Sequence, residues 1–104
     1  MVLNPLTDEQ RAAAREKAKT ARIARAAVKE DLKQRKVTVE EVLNRAKNEE
    51  ALSRLKVTEL LTALPSIGEV RAEAILKELN IASSRRLRGL GVHQRSALVE
   101  YLNK

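Results

Sequence analysis

Residues 61–79 read Leu61-Thr62-Ala63-Leu64-Pro65-Ser66-Ile67-Gly68-Glu69-Val70-Arg71-Ala72-Glu73-Ala74-Ile75-Leu76-Lys77-Glu78-Leu79. One helix ends at Leu64, because Pro65 cannot continue it. A tight turn through Ser66, Ile67 and Gly68 follows. A second helix starts at Glu69 and sets Ala72, Ile75, Leu76 and Leu79 on one face. The first turn of a helix carries four N–H groups without partners. Gly68 has no side chain to block approach, so Ser66 to Arg71 read as a phosphate site of backbone donors. Ile67 would pin the hairpin to the core. The competing reading is a plain helical corner in which Gly68 supplies an unusual dihedral.

Downstream, residues 80–91 have no clean period and contain Gly89 and Gly91, so they read as two short turns. Asn80 can stop the preceding helix. The final helix runs from Val92 to Leu102, with Ala97, Leu98, Tyr101 and Leu102 inward. Gly91 makes its start a second backbone phosphate site. Arg85, Arg86 and Arg88 lie just upstream, and no acid occurs between Glu78 and Glu100, a window that also holds Arg95. Arginines beside helix N-termini neutralise phosphates or reach into a minor groove. The bland alternative is a loop of solvated arginines.

Upstream, Thr7 and Gln10 have capping-box spacing, and Asp8 and Glu9 fall where a helix dipole favours acids. No Gly or Pro then occurs before residue 65, so one helix of nearly 28 residues reaches about Arg35. From Asp8 to Arg22 its apolar residues are all alanines, which bury little area. Ile23, Val28 and Leu32, with Ala21 and Ala24, predict a narrow stripe that docks the second half while the first half projects or frays. Thr38 with Glu41 marks a second helix, with Val39, Val42, Leu43 and Ala46 inward, ending near Asn48. Asn48 would cap a short helix through Leu55. Val57, Leu60, Leu61 and Leu64 form the face of the helix that Pro65 ends. The expected fold is all-α: a long, basic, partly flexible N-terminal arm over residues 1–36, then a compact domain over 37–104.

Composition narrows the function. The 104 residues carry 21 Lys+Arg against 14 Asp+Glu, a net charge of +7, with no Phe, Trp or Cys and one Tyr. The positive excess is split: residues 1–36 carry net +5, residues 37–64 net −1 and residues 65–104 net +3. Two basic ends around a near-neutral middle suit a polyanion. Without cysteine there is no disulfide framework, thiol catalysis or cysteine zinc site. No metal or other cofactor is implied. No run approaches a membrane span, and Met1 to Gln10 lacks the order of a signal peptide, so a cytoplasmic protein is expected.

The order of helix, Leu-Pro-x-Ile-Gly turn, helix, two short turns and helix is similar to the helix-two-turn-helix module of a small-subunit ribosomal protein and of base-excision DNA glycosylases. More closely, the chain resembles the actinobacterial integration host factors. The matching residues are Leu6 to Ala14, Lys56-Val57, the Leu64-Pro65-x-x-Gly68 turn and Ile75-x-x-Glu78-Leu79-x-Ile81-Ala82. Arg85-Arg86-Leu87-Arg88-Gly89-Leu90-Gly91 and Gln94-Arg95-x-Ala97-Leu98 complete the match. The resemblance implies a nucleoid-associated protein that binds double-stranded DNA largely without sequence preference and alters its path, in support of integration, recombination and chromosome organisation. It also implies that Arg85, Arg86 and Arg88 contact DNA and that Gly68 and Gly91 give backbone phosphate contacts. The chain departs from the family at Glu69, where many members are basic, and an acid there disfavours phosphate.

The expected DNA site is therefore Ser66, Ile67, Gly68, Arg71, Arg85, Arg86, Arg88, Gly89, Gly91 and Arg95. Arg11, Arg15, Lys19, Arg22 and Arg25 offer a second DNA surface. Catalysis is not expected, since lone His93 has no positioned carboxylate or nucleophile beside it. The other readings are an RNA-binding, ribosome-associated protein with the same module, and a partner-binding arm. A membrane-lying first helix is disfavoured because it lacks a Leu/Phe/Trp face. No small-molecule substrate is implied, and the protein is expected to be monomeric.

Overall fold

The computed structural model describes residues 7–103. Most of the signal-peptide reading at Met1 to Gln10, and Leu6 of the opening motif, lie outside them. Six α-helices follow in order: α1 Asp8–Lys33, α2 Val39–Ala46, α3 Glu50–Ser53, α4 Val57–Thr62, α5 Glu69–Glu78 and α6 Val92–Leu102, with a 3-10 turn at Leu87–Gly89 before the last. No strand forms among the described residues; one isolated bridge pairs Lys56 with Arg86.

Local chemistry sets the boundaries. The Thr7 hydroxyl accepts from the Gln10 N–H at 3.1 Å, and the Gln10 side chain accepts from the Thr7 N–H at 2.9 Å. Two otherwise orphaned donors are thus satisfied at the start of α1. The helix stops two residues before the expected Arg35 because Arg35 turns left-handed, with φ 59°. The Lys36 N–H then closes onto the Asp31 carbonyl at 2.8 Å. Asn80 (φ 58°) ends α5 in the same way, with Ile81 N–H on Leu76 O at 2.8 Å, and both of those side chains are buried. Asn tolerates this conformation better than Arg does.

The core is aliphatic throughout. The expected inward residues of α2 are all buried, as are Val57, Leu60 and Leu61 of α4, Ala72, Ile75 and Leu76 of α5, and Leu98 of α6. Leu64, Leu79, Tyr101 and Leu102 pack partly buried against them. Two expectations need correction. Ile23 is 59% exposed. The docking seam follows Ala21, Ala24, Val28 and Leu32, and Ile23 lies one residue, about 100°, off it. The short helix α3 is a single turn without a side-chain cap; Glu49, not Asn48, precedes it. Glu49 is instead held by Arg45 at 2.8 Å.

Val28 and Leu32 sit in the same core cluster as the rest of the fold, so the last turns of α1 are fixed while its start extends away. A 26-residue helix is about 39 Å long. It stretches the molecule to 51 × 33 × 25 Å and the radius of gyration to 16.0 Å, where about 13 Å is usual for 100 residues.

Candidate nucleic-acid interface

The corner before α5 is organised from inside. Ile67 is buried, and its N–H donates to Leu64 O at 3.2 Å, so that amide closes the turn and is not a free donor. Ser66 and Gly68 are exposed. Gly68 has φ −90° and ψ −180°, extended backbone open to any residue. A Cβ built there would meet nothing within 4 Å. Neither dihedral strain nor packing therefore requires glycine, which removes the plain-corner explanation. The first intrahelical bond is Ala72 N–H to Gly68 O at 2.9 Å, and no side chain caps the helix. The amides of Gly68, Glu69, Val70 and Arg71 thus face outward at an open N-terminus. Glu69 lies in this first turn, where its charge suits the helix dipole but opposes an incoming anion.

Beside the turn lie Lys29 and Lys33 of α1. With Ala26, Glu30 and residues 62–68 they border a cleft of about 650 Å³. Lys29 is 4.0 Å from Glu59, and Lys33 has no ion pair among the described residues. Neither lysine was expected at the interface. Their spacing, with Arg22 and Arg25 on the same side of the helix, was the available signal. Arg71 instead borders a second cleft with Arg35 and Tyr101, which Ser66 shares with the first.

The 85–91 segment is held by backbone bonds. Val57 N–H donates to Arg85 O at 2.9 Å, and Leu87 N–H to Leu55 O at 2.8 Å. Leu87 and Leu90 are buried, which leaves Arg85, Arg86 and Arg88 exposed between two anchors. Arg85 Nη1 donates to Gly89 O at 2.9 Å. A Cβ on Gly89 would stand 3.0 Å from Arg85 Cδ, so the glycine makes room for this arginine. Arg86 Nη1 donates to Arg54 O at 2.6 Å. Among the described residues, no carboxylate pairs with any of the three.

At the start of α6, Gly91 differs from expectation. Its N–H donates to Gln94 Oε1 at 3.1 Å, so Gln94 takes the amide assigned to phosphate. The free amides are those of Val92, His93 and Gln94, since Arg95 N–H already reaches Gly91 O at 3.0 Å. Gln94 Nε2 also donates to Asn80 O at 3.3 Å. The α6 start therefore meets the C-terminal end of α5. The two helix starts lie at opposite ends of ten residues, about 15 Å apart along α5.

Arg88 and Arg95 border a cleft with Lys47, and Arg95 Nε, closed off from solvent, has no hydrogen-bond partner. An unsatisfied buried donor costs about 1–3 kcal/mol. Arg86 borders another groove, about 1140 Å³, between α1 and the domain, and there it meets Arg22, Arg25, Lys17, Arg54 and Lys56. Arg86 of the first expected surface and Arg22 and Arg25 of the second thus line one groove, whereas Lys17, Arg54 and Lys56 were not foreseen. Arg25 itself donates to Ala51 O at 3.3 Å and so docks α1 on α3. Arg11, Arg15 and Lys19 lie exposed along α1 outside the groove, with Arg11 at 3.9 Å from Asp8. No group of three His, Asp or Glu side chains suited to a metal forms among the described residues. Among the described residues no helix is long and apolar enough to cross a membrane.

Comparison with known proteins bears on the fold and the family. Residues 32–102 match the S13-like H2TH domain family. Integration host factors of Mycolicibacterium smegmatis and Mycobacterium tuberculosis are each 54% identical over 100 residues, covering 96% of this chain and 95% of theirs. That of Streptomyces coelicolor is 47% identical over 98 residues, covering 94% of this chain and 92% of its own. A solved structure described as sIHF bound to an 8bp palindromic DNA superposes with a TM-score of 0.81 and 41% identity, covering 83% of this chain and 97% of that one.

Proposed function

This chain belongs to the integration host factor family, with an S13-like H2TH domain, and from that premise we propose that it is a nucleoid-associated architectural protein that holds duplex DNA largely without sequence preference. One observation carries the assignment: Arg85, Arg86 and Arg88 stand exposed and free of acids on a segment clamped by two backbone hydrogen bonds. Such a clamp presents charge without a large loss of chain entropy on binding. Backbone amides and arginines reach phosphates, and phosphate contacts carry no base code. A solved relative with DNA bound supports the same partner.

The α1 surface formed by Arg11, Arg15, Lys19 and Arg22 offers DNA a second place to lie. A duplex that touches both surfaces must bend, or two duplexes must be bridged, and either outcome serves compaction and recombination. The role is non-catalytic and needs no cofactor, and the protein works as a monomer with residues 1–36 as its arm. Neutralising on the order of 6 phosphates makes affinity fall about a thousandfold between ~50 and ~200 mM salt. Titration of a random-sequence duplex across that range tests this. A flat response overturns the assignment.

A further inference from the structure

We propose that the cleft between α2, α3 and α6 is a phosphodiester seat, in which Lys47 joins Arg88 and Arg95 in holding one DNA backbone phosphate. Its volume is about 510 Å³. Leu43, Ala46 and Leu87 form an apolar floor, each buried in the core. Lys47, Arg88 and Arg95 stand around it, and none has an ion pair among the described residues. Glu50, the acid at its edge, is engaged by Arg54 at 2.7 Å and lies 4.0 Å from Lys17. Three cations thus share a hollow whose one carboxylate is occupied elsewhere.

The decisive group is Arg95 Nε. It is shielded from solvent and meets no acceptor, though buried guanidinium donors are ordinarily satisfied. Because Nε is closed off as the side chain stands, a phosphate oxygen completes it once the half-buried Arg95 side chain turns its Nε toward the cleft, and the apolar floor strengthens the bond by excluding water. Lys47 at the end of α2 also suits the helix dipole, but that does not account for the unmet Nε of Arg95. The cleft adjoins the α1 groove at α3, where Glu50 borders both, with Arg88 lining the one and Arg86 the other. A strand seated here continues past the arginine loop toward α2. Lys47 thereby becomes a DNA contact in the near-neutral middle of the chain.

This inference rests on the DNA-binding assignment, and the experiment separates the two. The full chain is labelled with ¹⁵N, and the Arg95 Nε–H resonance is followed as duplex DNA or inorganic phosphate is added. Lys47→Gln and Arg95→Lys are compared with the unaltered chain in salt-dependent DNA titrations, with circular dichroism confirming the helical content. The Nε–H resonance is expected to shift with DNA in the unaltered chain. Lys47→Gln is expected to lower affinity about fivefold and reduce the salt slope by about one unit. Arg95→Lys keeps the charge and the slope, yet lowers affinity by losing the Nε donor. DNA binding with an unmoved Nε–H and an unchanged Lys47→Gln slope overturns the seat alone. A shift with inorganic phosphate but not with DNA also overturns it as a DNA contact. Failure of the unaltered chain to bind DNA overturns the assignment beneath it.

Discussion

The corner before α5 and the corner before α6 both place a glycine at the helix N-cap, yet they present opposite chemistry. Gly68 leaves its amide and the next three open, with lysines supplied from α1 and an acid, Glu69, in the first turn. Gly91 gives its amide to Gln94, and the charge around it comes from arginines on the clamped 85–88 segment. The first corner offers dipoles and the second offers full charges. Sequence similarity between two turns is therefore a poor guide to how each holds an anion; what neighbouring side chains do with the free amides decides it.

Four variants sharpen the contrast. The largest effect is expected from Arg85→Ala, Arg86→Ala and Arg88→Ala together. Duplex affinity should fall roughly a thousandfold, about 1.4 kcal/mol for each charged contact, with the helical content kept and the melting temperature lowered by the loss of the Arg85–Gly89 and Arg86–Arg54 hydrogen bonds. Unchanged affinity would shift the main contact to the α5 corner. Next is Gly68→Ser. Serine is a good N-cap and its Cβ has open space, so melting temperature should hold or rise. DNA affinity should still fall about fivefold, one ordinary hydrogen bond, because the new group stands before the amides. If affinity holds, the α5 amides do not touch DNA.

Glu69→Gln should move two quantities in opposite directions. Affinity rises about threefold as an acid leaves a phosphate site, while stability falls by about 0.3–1 kcal/mol as the helix dipole loses its partner. Both are measurable in one titration and one thermal melt. The smallest effect concerns Glu49, whose carboxyl lies below its ordinary range because the Arg45 side chain hydrogen-bonds it. That stabilisation is present above the ordinary carboxylate pKa and is lost as pH falls through the depressed value. Both side chains are 43% exposed, so it amounts to a few tenths of a kcal/mol, about 0.3. Glu49→Gln should flatten the acid limb of the stability profile by that amount and leave DNA binding near neutral pH unchanged.

What the chain discloses before folding follows from the range of each interaction. Caps, stops and apolar faces act within four residues, so Thr7, Asn80 and the α2, α4 and α5 faces could be read directly. Gln94 stands three residues after Gly91, a spacing that already hinted at the amide it takes. Ile23 was misassigned because alanines carry the seam, and hydrophobicity alone favours the larger side chain. Lys29, Lys33 and Lys47 escaped notice because their neighbours come from other helices. Their charge is ordinary in sequence and acquires meaning only after α1 lies against α3 and the α4–α5 turn.

The docking of α1 also has a mechanical side. Val28 and Leu32 clamp its end, Arg25 ties it to Ala51, and the exposed Lys17–Glu50 pair at 4.0 Å supports it nearer the tip. With that support in place the overhang is Asp8 to Glu16, about 14 Å; without it the overhang reaches back to Thr20, just before the seam begins at Ala21, about 20 Å. The deflection of a cantilever under a given load grows as the cube of its free length. An exposed ion pair is screened as ionic strength rises. Salt that loosens the grip on DNA therefore also softens the beam, whereas dilute salt gives a short, stiff strut against which a duplex can be bent.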